Sequence, residues 1–185
     1  MDATRKLSPC KLSLAVQVAT GATNLPTRSQ FRRWLKAALQ RDVQITLRIV
    51  DETEGRALNK DFRGKDYATN VLTFVYDDVE PTPQLPLSGG LTGSSPGSPP
   101  DRGAGGLGRL GGVVGDIVIC VPVVEREARA QHKDLSAHYA HLSIHATLHL
   151  QGYDHENEQD AAVMEALETA LLEKLGYADP YQIVT

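Results

Sequence analysis

The feature that most constrains this sequence is the spacing of its histidines, all six of which lie between positions 132 and 155. The last three fall in the string HATLHLQGYDH, where His145 and His149 are four residues apart and His155 follows Gly152. Residues four apart on a helix share one side of it, about 6 Å apart along the axis. A glycine after such a helix can adopt the left-handed conformation that ends it and turns the chain back. The string therefore predicts a helix and turn that gather three imidazoles.

Three imidazoles around one Zn²⁺ leave a fourth position for water, which is typical of catalytic rather than structural zinc sites. The spacing HxxxHxxGxxH is that of the metzincin proteases, in which a glutamate after the first histidine is the general base. Here Ala146 stands at that position, so peptide hydrolysis by that mechanism is disfavoured. We define His145, His149 and His155 as the histidine triad. We expect the triad to bind one zinc ion, and we expect a catalytic role for His145.

Other polar residues near the triad are expected to support it rather than bind the metal. His141 falls on the same helical stripe as His145, which favours a supporting or packing role. Ligand imidazoles need a hydrogen-bond partner on their second nitrogen, and Asp154 or backbone carbonyls are candidates. His132 and His138 are expected to be surface or capping residues.

Four basic residues follow one another near the end of a predicted helix and form the basic cluster, which is Arg56, Lys60, Arg63 and Lys65. An arginine guanidinium offers a planar fork of donors that binds phosphate at two points. The alternative stays open, because basic residues at a helix C-terminus also favour the helix dipole. Aromatic residues make up only 5% of the chain, which disfavours an extended base-stacking platform. Individual stacking candidates, each equally compatible with a core role, are Tyr67, Phe74 and Tyr153.

The net charge of −4 is unevenly distributed. Residues 151–185 hold eight acids and one base, so the rest of the chain carries 18 bases and 15 acids and can offer a phosphate-binding face. The chain contains no run of about 18 apolar residues, and its N-terminal stretch alternates like a strand rather than a signal peptide. We therefore expect a cytoplasmic protein with no membrane contact, in which Cys10 and Cys120 stay reduced.

The hydrophobic pattern predicts a single α+β domain over residues 1–185, with a small sheet of about four strands covered by helices. Strands are expected at 12–18, 43–49, 70–76 and 113–120, the last two side by side. Helices are expected at 29–40, 51–62, 122–131, 136–151 and 157–175. Their expected N-caps include Thr27 or Ser29, Asp51 and Ser136. Residues 80–112 contain 10 Gly, 6 Pro and 4 Ser, which predicts a flexible insertion.

Several stretches together resemble the YbeY family of bacterial endoribonucleases, the rRNA maturation factors. They are LNKDFRGKDYATNVLTF at 58–74, GDIVIC at 115–120, HLSIHATLHLQGYDH at 141–155 and ALETALLEKLGYADPY at 166–181. The resemblance covers nearly the whole chain. It departs from the family at 80–112, where relatives typically have a shorter link.

The resemblance implies zinc on the histidine triad and an important arginine at Arg63. It also implies cleavage of single-stranded RNA, with roles in maturing the 3′ end of 16S rRNA and in ribosome quality control on the small subunit and its proteins. Attack by activated water and attack by a ribose 2′-OH both remain open. A non-enzymatic ribosome-assembly factor with a structural zinc is the alternative function, and a metallopeptidase is less favoured because of Ala146.

Overall fold

The computed structural model describes residues 10–76, 112–155 and 157–182. The predicted order of strands and helices is confirmed. The four strands are β1 (Leu12–Ala19), β2 (Val43–Val50), β3 (Val71–Tyr76) and β4 (Val113–Cys120). The five helices are α1 (Arg28–Ala37), α2 (Glu52–Arg63), α3 (Val121–Ala130), α4 (Leu135–Leu150) and α5 (Glu158–Leu175). The predicted insertion lies, apart from Gly112, outside the described residues.

The four strands form one sheet in the order β1-β2-β4-β3. β1, β2 and β4 run parallel, whereas β3 pairs antiparallel with β4 and forms an edge of the sheet. The parallel arrangement of β1 and β2 follows from α1, because a parallel pair needs a crossover between its strands. The central strands are apolar because they are buried, as Ile45, Leu47 and Ile117 show. The pairing of β3 with β4 confirms the predicted neighbours.

The helix starts confirm most of the predicted caps. Thr27 caps α1 and forms a capping box with Gln30, so Thr27 rather than Ser29 is the cap. The expected cap Ser136 is wrong, because Asp134 caps α4 and accepts a hydrogen bond from the backbone N–H of Ala137. The carboxylate that caps the helix belongs to Asp134, two residues before Ser136, and Ser136 lies in the first turn of the helix.

Helix α4 is the central helix of the molecule and packs against α1, α3, α5 and strands β3 and β4. Its sequence is apolar around most of its circumference, as expected for a helix covered on several sides. Its buried hydroxyls are satisfied internally, since Ser143 and Thr147 each donate to a carbonyl one turn earlier at 2.7 Å. The half-buried positions His145 and His149 lie on its remaining face. The fold therefore holds both histidines on a rigid helix.

A glycine in β4 lets the end of α4 lie close to the sheet. A Cβ atom at Gly115 would clash with the carbonyl oxygen of Phe74 in β3 and with the side chain of Leu150. Because Leu150 is the last residue of α4, this close approach places the C-terminal end of that helix beside the β3 edge. The histidines near that end consequently lie next to β3.

The packing of α5 differs from the expected one. The sequence predicts that a set of apolar positions packs on the sheet, namely Val163, Ala166, Leu167, Ala170, Leu171 and Leu175. Val163 is instead 59% exposed, and α5 packs against α4. The fully buried stripe of α5 is Met164, Glu168 and Leu172, spaced four residues apart. A charged residue therefore occupies the middle of the buried face.

Two smaller expectations concern cysteines and membranes. Cys10 and Cys120 are both free thiols, as predicted. Within the described ranges, no helix combines the length and apolarity needed to cross a bilayer.

Candidate metal centre

The three imidazoles of the histidine triad converge. Their ring centroids lie 4.5 Å (His145–His149), 5.0 Å (His149–His155) and 5.5 Å (His145–His155) apart. One nitrogen from each ring falls within 4.8 Å of the other two. The i, i+4 pair comes from α4, and Gly152 supplies the turn with a φ of +93°. His155 is the exposed member of the triad.

Hydrogen bonds fix which nitrogen of each helical ring is protonated. Nδ1 of His149 lies 2.9 Å from the carbonyl oxygen of Tyr153, which can only accept, so Nδ1 must donate. Nδ1 of His145 lies 2.8 Å from a carboxylate oxygen of Glu168 and donates in the same way. In the neutral rings both Nε2 atoms therefore carry a lone pair.

These two lone pairs face each other, with the Nε2 atoms of His145 and His149 3.1 Å apart. Neutral rings held this way have no proton to share and repel unless a cation lies between them. Two nitrogens bound to one tetrahedral Zn²⁺ at 2.0–2.1 Å lie about 3.3 Å apart, close to this separation. Burial, followed by the neighbouring His145, lowers the pKa of His149, which favours its neutral, metal-binding form. The residues present fit a metal ion.

A second group of potential ligands comprises His141, His145 and Glu168. Hydrogen bonds account for this group without a metal, because each carboxylate oxygen of Glu168 bonds to one ring. The Oε1 atom lies 2.8 Å from Nδ1 of His145, and Oε2 lies 2.6 Å from Nε2 of His141. The Nε2 atom of His145, which faces His149, consequently lies on the side of the ring opposite Glu168.

Glu168 is the site residue that sequence reasoning missed. It is 0% exposed and also accepts a hydrogen bond from the Tyr181 hydroxyl. Burial alone would raise the pKa of this carboxyl. The hydrogen bonds from His141, His145 and Tyr181 outweigh burial and lower that pKa to about 2. The sequence contains one signal for this residue, because Glu168 lies four residues from both Met164 and Leu172 on one face of the helix. A charge between two buried apolar residues needs a partner.

The remaining predicted supporting residues have different surroundings. His141 contacts the triad through Glu168, as a supporting residue would. The Asp154 carboxylate instead accepts from the backbone N–H of His155 at 2.7 Å and braces the turn. The expected surface position of His138 is wrong, because this ring is 4% exposed and lies 3.0 Å from Glu127 of α3. The packing of α3 on α4 covers that position. His132 is exposed, as expected.

The triad opens into a cleft of about 560 Å³ that Arg63 also lines. Val71, Thr73 and Val75 of β3 form one wall, because alternate residues of a strand face the same side. The turn residues Gly152, Tyr153 and Asp154 also line the cleft. A second cleft of about 410 Å³ adjoins the first and shares His145 and His155 with it. The predicted arginine and the predicted ligands therefore meet in one cleft.

The basic cluster divides into two parts. Arg56 and Lys60 both bond to Asp66, at 2.8 and 3.3 Å, which partly neutralises them. Arg63 and Lys65 are exposed and form no ion pair within the described part of the chain. Of these two, Arg63 lines the cleft.

The aromatic stacking candidates lie in three different environments. Tyr67 is 55% exposed, and Phe74 packs edge-on against Phe62 at a centroid distance of 5.0 Å. Tyr153 lines the cleft, and its hydroxyl bonds to Gln40. Tyr153 is therefore the candidate next to the triad.

Comparison with known proteins identifies the family of this chain. The family described as endoribonuclease YbeY matches residues 17–176. An endoribonuclease YbeY from Nitrosospira multiformis is 53% identical over 174 residues, which are 94% of this chain and 83% of that protein. One from Aromatoleum aromaticum is 47% identical over 184 residues, 98% of this chain and 99% of that protein. A solution structure of a Thermotoga maritima protein, 22% identical, covers 91% of this chain and 99% of its own with a TM-score of 0.45. The chain belongs to the YbeY family of endoribonucleases.

Proposed function

We propose that this chain cleaves single-stranded RNA at a phosphate held between one zinc ion on the histidine triad and the guanidinium of Arg63. Membership of the family makes the chain an RNA-cleaving hydrolase. The observation that supports this mechanism best is the shared cleft, which the triad and Arg63 line together. In this proposal the RNA strand lies along the cleft that β3 and the turn before His155 both line.

Zinc is the ion we propose because neutral imidazole nitrogens in a three-ligand, partly open arrangement are typical of catalytic zinc. When bound, Zn²⁺ supplies a Lewis acid and lowers the pKa of a coordinated water to about 7. The chain contributes the orientation of the rings. The Tyr153 carbonyl and the Glu168 carboxylate hold the Nδ1 protons of His149 and His145, so that their Nε2 atoms are the donors.

The position of Arg63 at the end of α2, lining the cleft, supports a role in binding the phosphate. Gly64 follows in the left-handed conformation, with a φ of +68°, and turns the chain away from the helix. The guanidinium can donate two parallel hydrogen bonds to phosphate oxygens. It would also stabilise the negative charge that grows on those oxygens in the transition state, where one such donor is worth about 10²–10³ in rate.

The biological substrate we propose is 16S rRNA near its 3′ end, bound in the small ribosomal subunit with its proteins, in the cytoplasm. The four matching sequence stretches and the exposed Arg63 and Lys65 support this proposal. RNA bound largely through phosphates should bind more weakly as salt concentration rises.

The test compares Arg63→Ala with the wild-type chain on a short single-stranded RNA, with zinc content and unfolding measured on both. We expect cleavage to fall by about 10²–10³-fold while zinc content and stability stay unchanged. Arg126→Ala is the matched control, because that exposed arginine of α3 pairs with Glu52 and does not line the cleft. Unchanged cleavage in Arg63→Ala would remove this residue from the mechanism. If the zinc-loaded wild type binds RNA without cleaving it, the result would support the non-enzymatic assembly factor. Zinc-dependent cleavage of a peptide would support the metallopeptidase.

The chemical ends of the RNA products in this cleavage assay distinguish attack by water from attack by a ribose 2′-OH. A 2′,3′-cyclic phosphate end identifies attack by the ribose 2′-OH. A 5′-phosphate with a 3′-OH identifies attack by water.

A further inference from the structure

Glu168 brings a carboxylate into the interior of the protein, behind the triad. It is 0% exposed, on the face of α5 that packs against α4. Its flanking stripe residues, Met164 and Leu172, are each 1% exposed. Removing a carboxylate from water is costly unless hydrogen bonds compensate. An apolar residue would serve packing alone, so the carboxylate needs another explanation.

Each carboxylate oxygen is assigned to a particular histidine of α4. Oε1 lies 2.8 Å from Nδ1 of His145, and Oε2 lies 2.6 Å from Nε2 of His141. The Tyr181 hydroxyl, from the segment after α5, also donates to Oε2. His141 and Tyr181 therefore fix the carboxylate from one side, and its other oxygen is directed at a ring of the triad.

We infer that Glu168 is the positioning residue of the metal centre, which holds His145 in the Nδ1–H tautomer and turns its Nε2 toward the metal. This inference rests on the proposed metal binding by the triad. Glu168 does not touch the metal or the RNA and acts through His145. The Nδ1–H of His149 donates the equivalent hydrogen bond to the backbone carbonyl of Tyr153, so the two rings are oriented by acceptors of different charge.

The charge of that acceptor matters as well as its position. An anionic acceptor on Nδ1 makes the opposite nitrogen a stronger donor to a metal, and losing such a partner typically costs 10–100-fold in metal affinity. The same partner restricts rotation of the His145 ring about its side-chain bonds. Both effects predict tighter metal binding in the presence of the carboxylate.

The experiment measures zinc affinity, by competition with a chelator, for wild type, Glu168→Leu and Glu168→Gln. We expect Glu168→Leu to bind zinc about 10–100-fold more weakly. Glu168→Gln can keep an oxygen for the Nδ1 proton of His145, but it loses the charge and places an amide NH2 where Oε2 accepts from His141 and Tyr181. Because the acceptor for His145 is retained, its loss of zinc affinity should be smaller than that of Glu168→Leu. Glu173→Gln, an exposed position on the same helix, is the control and should bind like wild type.

A second readout separates positioning from a merely structural role. Nitrogen NMR of the metal-free proteins reports the tautomer of His145, which should be Nδ1–H in wild type and Glu168→Gln and mixed in Glu168→Leu. If Glu168→Leu fails to fold, the comparison of Glu168→Gln with Glu173→Gln still decides, because only the former should lose affinity. Equal zinc affinity in all folded variants would overturn this inference alone. A wild-type chain that binds no zinc would overturn the proposed function and this inference with it.

Discussion

Single hydrogen bonds decide what each histidine of this protein can do. His145 and His149 give their Nδ1 protons to a carboxylate and a carbonyl, which leaves Nε2 for a metal. His138, one turn before His141 on the same helix, instead directs Nε2 to Glu127, and its Nδ1 is buried without a partner among the described residues. The same side chain therefore offers a metal-binding nitrogen at two positions and is a buried structural residue at the third.

His138 makes the stability of the folded chain depend on pH. Burial lowers the pKa of His138, against the opposing hydrogen bond and charge of Glu127, and nearby His141 and Lys133 lower it further. The unfolded chain protonates this ring near its ordinary pKa of about 6.5, so below that pH the unfolded state binds more protons. Folding stability contributed by the neutral ring is therefore present above about pH 6.5 and is lost as pH falls toward the lowered pKa.

The check is urea unfolding of the metal-free chain and of His138→Gln at several pH values from about 7.5 to about 5. We expect the wild type to lose more free energy of unfolding over this range, because glutamine cannot titrate. Substituting the exposed His132 by Asn should leave the pH dependence of the free energy of unfolding as it is in the wild type. Parallel curves for wild type and His138→Gln would refute the role of this ring.

At the residue scale, the sequence predicts the triad but not the hydrogen bonds that orient its rings. Helical spacing alone places His145 beside His149, and Gly152 indicates the turn. The contact of Glu168 with His145 spans 23 residues and depends on how α5 packs on α4, which no local pattern specifies. The burial of His138 was missed for the same reason, since α3 covers it.

At the scale of elements, the turn after α4 brings the third imidazole, His155, to the other two. The helix holds two imidazoles rigidly, and Gly152 reverses the chain so that His155 returns to them. Gly176 ends α5 in the same left-handed conformation, with a φ of +89°, away from the cleft. A methyl group added at either glycine would meet no other atom within 4 Å, so substitution at either introduces backbone strain without a clash.

These two glycines form a matched pair for a test. Gly152→Ala and Gly176→Ala should each cost about 1–2 kcal/mol of stability, because both force alanine into the left-handed region. Only Gly152→Ala should also weaken zinc binding, since only that turn carries a ligand. Unfolding in urea and chelator competition measure the two effects. Equal zinc affinity in both variants would show that the turn does not position His155.

The elements themselves were predictable where local chemistry determines them. Alternation identified β1 and β2, and the Thr27 and Asp51 caps marked helix starts. The parallel pairing of β2 with β4, and the position of β3 at the edge beside the cleft, depend on long-range packing and were not predictable. The prediction of which face of α5 is buried is wrong because the buried stripe contains a glutamate, Glu168.

At the scale of the whole molecule, the candidate site lies at the surface of the apolar core and shares helix α4 with it. The apolar core lies between the sheet and helices such as α1 and α4, with Trp34 and Phe31 fully buried. The triad occupies the end of α4 and the following turn, at the surface of that core. We therefore expect the metal to serve the reaction more than the fold, which is the physical distinction between the enzyme and an assembly factor with a structural zinc.

The most direct test of metal binding by the triad is elemental analysis of the purified chain beside its His149→Ala variant, with an RNA cleavage assay on both. We expect one zinc per wild-type chain, and in His149→Ala almost no zinc and no cleavage above background. His132→Asn, which changes an exposed histidine outside the triad, should keep both. A folded His149→Ala protein that retains the zinc content of the wild type would contradict the central claim that these three imidazoles bind the metal.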